Sequence, residues 1–152
     1  MFVGAFVVLI QSIDDIALPD AKYKRGIAGT LFVHKIAGAA AARGESLAEV
    51  AAAARDAADA VASIGMAMES CQLPFEPVKP ALGENELEIA LGIHGERGVE
   101  RVSLQSCRAL VSLISARLRD SMRQKGLQPP FAMLVNNLGG GALSVAKFST
   151  CV

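Results

Sequence analysis

The chain has 152 residues, the size of one ordinary domain. Its 15 Lys+Arg balance 15 Asp+Glu, which removes the electrostatic case for nucleic acid or an acidic membrane surface. With 52% hydrophobic and 20% charged residues, the composition also excludes a disordered chain.

The core must be built from small side chains. There is no Trp and one Tyr, and alanine runs supply much of the apolar count. Each alanine buries little area, so modest stability is expected for the chain standing alone. Cys71, Cys107 and Cys151 lie far apart without CxxC spacing, which suggests reduced thiols and a cytoplasmic setting rather than disulfides or a zinc site. The apolar opening is too short for a membrane span and lacks the basic start of a signal peptide.

Phe6 to Ile10 reads as a buried strand, rich in β-branched and aromatic residues. Asp14-Asp15 ends it in a polar turn, and Pro19-Asp20 continue the loop. The stretch from Gly26 to Ala41 predicts a helix with a small-residue face, stopped by Gly44. Ser46 and Glu49 form a capping box. The helix they open places Leu47, Val50, Ala54, Ala57, Val61 and Ile64 at helical spacing and ends at Gly65. Met66 to Cys71 reads as a short strand, followed by a loop held extended by Pro74, Pro77 and Pro80. Glu86 to Ile93 begins with the alternation of a half-buried strand and delivers the chain to the glycine-rich turn His94-Gly95-Glu96-Arg97-Gly98. A second amphipathic helix is expected from about Gln105 to Arg123, with a stripe of Leu104, Cys107, Leu110, Val111, Ile114 and Leu118, stopped by Gly126 and Pro129-Pro130. Phe131 to Val135 reads as a further apolar strand. The fold class is therefore α/β to α+β, a mixed sheet with packed helices.

Chemistry has few candidates. His34 falls mid-helix and reads as a packed or half-buried helical histidine. His94 follows a strand directly, and the glycines around it let backbone or ligand approach closely. From position alone, both a turn histidine and a reactive one are open. Glu96 either orients the imidazole or is a solvated loop charge. Glu86 and Glu88 face one side of a strand and read as a solvated face rather than a glycosidase pair. Gly139-Gly140-Gly141 lacks the Lys-Ser/Thr of a P-loop, Gly26 to Gly29 lacks dinucleotide spacing, and no GxSxG is present.

Several strings together resemble the dihydroxyacetone (glycerone) kinase family. They are Asp14-Asp15-Ile16-Ala17-Leu18, Arg25 to Ala41, Gly65 to Cys71, Gly92-Ile93-His94-Gly95-Glu96-Arg97-Gly98 and Val135 to Gly140, in the family's order over roughly residues 7–140. The resemblance implies a partial two-domain kinase fold. Residues 1–45 would be the end of its first α/β domain, 46–140 its second, smaller α+β domain carrying the GIHGE motif, and 141–152 a divergent tail. It also implies that His94 forms a covalent hemiaminal with the substrate carbonyl, with Gly95 and Glu96 beside it in the substrate site. Such a bond selects ketones and aldehydes, here dihydroxyacetone or a similar short carbonyl sugar, and rejects glycerol. Arg97 stands where the family usually has proline.

The family's earlier half, with its GGGSGHEP-like loop and an aspartate of the substrate site, is not represented. Nor is its nucleotide domain. The resemblance thus implies no metal and no cofactor bound by this chain. The phosphoryl donor would be ATP with magnesium, or a phosphorylated partner protein, held elsewhere. The expected role is capture of dihydroxyacetone for phosphorylation, with help from absent parts of the enzyme. The alternatives are a non-catalytic dihydroxyacetone-binding or regulatory module, or a truncated remnant. The helix from Gly26 to Ala41 and the first strand should be only partly covered, so a homo-oligomer or a missing enzyme half is the expected partner.

Overall fold

A computed structural model describes residues 5–17, 25–68, 75, 82–89 and 98–136. Among these, the elements run α1 (Thr30–Ala42), α2 (Leu47–Ala60), β1 (Met66–Ala67), β2 (Glu86–Ile89), β3 (Glu100–Ser103) and α3 (Cys107–Gln124). The strands form one antiparallel sheet in the order β1-β2-β3. No helix of the described residues is long and apolar enough to cross a membrane.

The capping box forms as the spacing requires. The Glu49 carboxylate accepts from the Ser46 N–H at 2.7 Å, and the Ser46 Oγ accepts from the Glu49 N–H at 3.4 Å. Gly44 follows the end of α1, and α1 and α2 pack against each other through small side chains. Ala40, Ala51, Ala54, Ala57 and Ala58 are buried. The buried face of α2 is thus narrower than the expected stripe, with Leu47 about half exposed.

The larger apolar residues gather elsewhere. Leu110, Ile114, Leu118 and Met122, four apart along α3, lie against Leu87 and Ile89 of β2 and Ala62, Ile64 and Met66. Ser106 caps α3, accepting from the Ala109 N–H at 3.3 Å. Leu104 therefore stands outside this helix, and its N–H donates to the Asn85 carbonyl at 2.7 Å. Cys107, placed in the expected stripe, is exposed. The strand β3 escaped the sequence reading because only Val102 in it is apolar.

One buried carboxylate joins three stretches of chain. Asp14 is 1% exposed. Its Oδ1 accepts from the Ile27 N–H and its Oδ2 from the Gly29 N–H, both at 2.7 Å, and Ser63 Oγ donates to the same Oδ2. The Ser63 N–H donates to the Asp14 carbonyl at 2.6 Å, and the Ile16 N–H to the Ser63 carbonyl at 3.0 Å. Next door, Asp15 accepts from Arg25 Nε at 2.8 Å. A carboxylate at the start of α1 satisfies amides that the helix cannot and complements its dipole.

This junction corrects several expectations. The polar turn at Asp14-Asp15 is a buried anchor. The helix expected from Gly26 begins at Thr30, because residues 27–29 are held by Asp14. The helix expected to reach Ile64 stops at Ala60, because Ser63 is drawn into an extended bridge with Asp15. Phe6 to Ile10 forms no strand, and Phe6, Val7 and Leu9 are 87%, 87% and 91% exposed. Among the described residues no strand pairs with it, so its ladder has nothing to close on. Phe131 to Val135 also lies outside the named strands, with Phe131, Met133 and Val135 exposed. His34 is exposed on α1 rather than packed. The prolines at 74, 77 and 80 lie outside the described residues.

The Asp14 junction predicts two destabilising substitutions, and Gly38, elsewhere in α1, an opposite one. A Cβ on Gly29 would sit 2.8 Å from the Asp14 Cγ, so Gly29→Ala should destabilise by about 1–3 kcal/mol. Asp14→Asn turns an acceptor into a donor facing a buried donor and should cost about 3 kcal/mol. Gly38, inside α1 with open space around it, should stabilise by about 0.5–1 kcal/mol when changed to Ala. Urea unfolding of the three variants checks the order.

Hydrogen bonding from the Ser46 side chain, then from its backbone, holds the Glu49 carboxyl below its ordinary value. The folded state thus binds that proton later than the unfolded chain on acidification. The cap's contribution is complete above the unfolded value near 4.5 and fades as pH falls through the lower folded value. Circular dichroism in that acid range should show helix loss that Glu49→Gln no longer shows.

Candidate functional site

The hairpin β2–β3 frames the glycine-rich loop. Its register pairs Glu88 with Arg101 and Ile89 with Glu100. The Val99 N–H donates to the Ile89 carbonyl at 3.0 Å, so both ends of the loop are tied together. Residues 90–97 span this gap in the chain. His94, Gly95, Glu96 and Arg97 all fall there and lie outside the described residues.

Glu88 builds the base of the loop. It is 3% exposed, which corrects the solvated face expected for Glu86 and Glu88. One carboxylate oxygen accepts from the Gly98 N–H at 3.0 Å and the other from Arg101 Nε at 3.1 Å. A Cβ on Gly98 would sit 2.7 Å from the Glu88 Cβ and 2.8 Å from the Ile89 carbonyl oxygen. Glycine alone lets the returning chain pass so close, and that passage covers Glu88. Glu86 stays exposed, 3.9 Å from the Arg101 guanidinium. The hairpin is braced from outside, because Arg117 of α3 donates to Glu100 at 2.6 Å. The alternation of Glu86 and Glu88 hid this role. The available signal was Gly98 and Arg101, ten and thirteen residues after Glu88.

A second feature is an open cleft of about 490 Å³ between residues 13–17 and α3, with Asp14, Asp15, Arg117, Asp120 and Lys125 among its lining. Its main charges already serve the fold. Asp14 holds amides, Asp15 holds Arg25, and Arg117 holds Glu100. The Lys125 ammonium donates to the carbonyls of Asp59 at 2.9 Å and Val61 at 2.5 Å. Burial pushes the Lys125 amine below its ordinary value, against the opposing pull of Asp59 and Asp14. Among the described residues no three His, Cys, Asp or Glu side chains are grouped as they would be to hold a metal ion.

Comparison with known proteins identifies the family. The model of the Dak1 domain matches residues 3–149. The dihydroxyacetone kinase of Citrobacter freundii is 42% identical over 137 residues, which are 90% of this chain and 24% of the kinase. Its crystal structure superposes with a TM-score of 0.78 over 88% of this chain. The dihydroxyacetone-binding subunit DhaK of a PTS-dependent dihydroxyacetone kinase from Listeria innocua is 38% identical over 86% of this chain and 40% of the subunit. The dihydroxyacetone kinase operon co-activator Dha-DhaQ superposes with a TM-score of 0.77 at 28% identity, over 88% of this chain and 42% of the co-activator. The chain spans about a quarter of the length of the Citrobacter kinase and less than half of the other two. A family match over nearly the whole chain establishes that this chain belongs to the Dak1 domain family.

Proposed function

We propose that the chain is a dihydroxyacetone-capturing element of a dihydroxyacetone kinase, with His94 as the residue that bonds the substrate. The observation that carries this reading is the hairpin base. Glu88, Gly98 and Val99 fix both ends of the short loop on which the sequence places His94, Gly95 and Glu96. The names of the Citrobacter kinase and the Listeria binding subunit support the substrate class.

The chemistry is balanced within the pair. One imidazole nitrogen attacks the carbonyl carbon, a C–N bond forms, and the C=O π pair becomes a hydroxyl after gaining a proton. The ring gives up its N–H proton in exchange. Only a ketone or aldehyde can react in this way, so the bond discriminates dihydroxyacetone from glycerol more strongly than shape does. Capture would also hold the terminal hydroxyl for transfer of a phosphoryl group. In this reading the donor, ATP with magnesium or a phosphorylated partner protein, is brought by another part of the assembly. Gly95 and Glu96 complete the substrate contacts.

Dihydroxyacetone labelled with carbon-13 at the carbonyl tests the reading. A new tetrahedral-carbon resonance is expected with the native chain and not with His94→Ala. A folded native chain that gives no such resonance would overturn it.

A second reading, a binding or regulatory module without catalysis, is favoured by the likeness to the operon co-activator. It predicts the same adduct but no phosphorylation when a donor and the remaining kinase parts are supplied.

Both readings include a partner surface. Phe6, Val7 and Leu9 are exposed, and in α1 only Ala40 is buried while Leu31 and Ile36 are exposed. Self-association, or docking with a further part of the enzyme, would cover them. Light scattering should show mass rising with concentration; a clean monomer at high concentration would count against self-association.

A further inference from the structure

We propose that Lys125 is a second carbonyl-reactive site, an amine at the cleft beside α3 that forms a reversible imine with short polyhydroxy aldehydes and ketones. The ligand class is that of the reading above, but nothing in the inference depends on His94.

Three observations carry it. Lys125 lines the open cleft of about 490 Å³, with Ile16 and Ile64 supplying apolar wall and Ser121 and Gln124 of α3 offering hydroxyl and amide groups to a polyol. The residue is exposed, so a reagent reaches it. Its nitrogen is nonetheless turned onto two backbone carbonyls, those of Asp59 at 2.9 Å and Val61 at 2.5 Å. A neutral amine has two N–H groups and one lone pair. Those two carbonyls take the N–H groups, and the lone pair is left for a carbonyl carbon.

Burial pushes the Lys125 amine below its ordinary value, although Asp59 and Asp14 pull the other way. More of it is therefore in the nucleophilic form than in a freely solvated lysine. The other charges lining the cleft have partners of their own: Asp15 holds Arg25, Arg117 holds Glu100, and Asp120 lies 3.7 Å from Arg123. Holding the end of α2 does not by itself call for a lysine. An arginine would donate to the same carbonyls and remain charged, whereas a desolvated lysine is the side chain suited to imine chemistry.

The step balances. The lone pair attacks the carbonyl carbon, a C–N bond forms, and one proton moves from nitrogen to oxygen. The resulting hydroxyl leaves as water with a second proton, and the C=N bond forms. An imine nitrogen keeps at most one N–H, so the adduct gives up a bond to Asp59 or Val61 and loosens the end of α2.

The test incubates the folded chain with dihydroxyacetone and cyanoborohydride, which traps imines by hydride transfer, and maps the modified lysines by peptide mass. Lys35, exposed on α1, is the internal reference. Lys125 is expected to be modified about threefold or more faster than Lys35 at neutral pH, with the preference lost in urea. Lys125→Arg, shown folded by circular dichroism, should lack the fast-modified site. Equal rates at the two lysines, or a preference that survives urea, would overturn the inference. His94→Ala should be modified at Lys125 as fast as the native chain. Fast modification of Lys125 in a native chain that gives no carbon-13 adduct would overturn the reading of His94 and leave this inference standing.

Discussion

The Asp14 carboxylate is the interaction on which the rest of the described structure depends. It holds the amides of Ile27 and Gly29 and the hydroxyl of Ser63, while its own backbone is bonded to Arg25 and Ser63. Those bonds decide where α1 can start and where α2 must stop. Once Ser63 is captured, the chain from Val61 onward is extended, and Ile64 and Met66 fall into the core beside β2. A single buried acid therefore converts the end of a helical hairpin into the entry of a sheet.

Glu88 repeats the construction in the central strand of that sheet. Each acid is buried, each accepts a backbone amide from a glycine too close to carry a side chain, and each is tied to an arginine, directly for Glu88 and through the adjacent Asp15 for Asp14. The composition explains why polar clamps matter here. Alanine-lined helices bury little area per residue, so α1 and α2 gain less from apolar packing than α3 gains from its leucines and isoleucine. Where burial is thin, hydrogen bonds to a charged acceptor fix the chain path instead.

That division also explains what could be read from the sequence. The capping box at Ser46, the stop at Gly44, the stripe Leu110–Ile114–Leu118 and the start of β2 were legible, because each is a local pattern with a local cause. Asp14, Glu88 and β3 were not. Their roles come from partners far along the chain, Ser63 for Asp14 and Gly98 for Glu88, and a pair of acids looks alike whether it is solvated or buried. The apolar runs at Phe6 and Phe131 misled for the converse reason: β-branched and aromatic content shows that a segment suits a sheet, not that a neighbouring strand is present to receive it. The loop carrying His94 was legible as a motif, and the described residues bear on it through its two ends.

The Asp14 clamp also joins the two parts of the fold. The helical hairpin α1–α2 rests on alanine packing, and the sheet with α3 rests on the larger apolar cluster. The bonds of Asp14 to Ser63 join them, together with Lys125, which holds the carbonyls of Asp59 and Val61 where α2 ends. The exposed apolar residues belong to the first part, in α1 and residues 6–9. The hairpin that frames the loop belongs to the second. From Ser63 the chain runs into β1, whose Ala67 pairs with Glu88 of β2, so the Asp14 junction and the hairpin are joined through one strand.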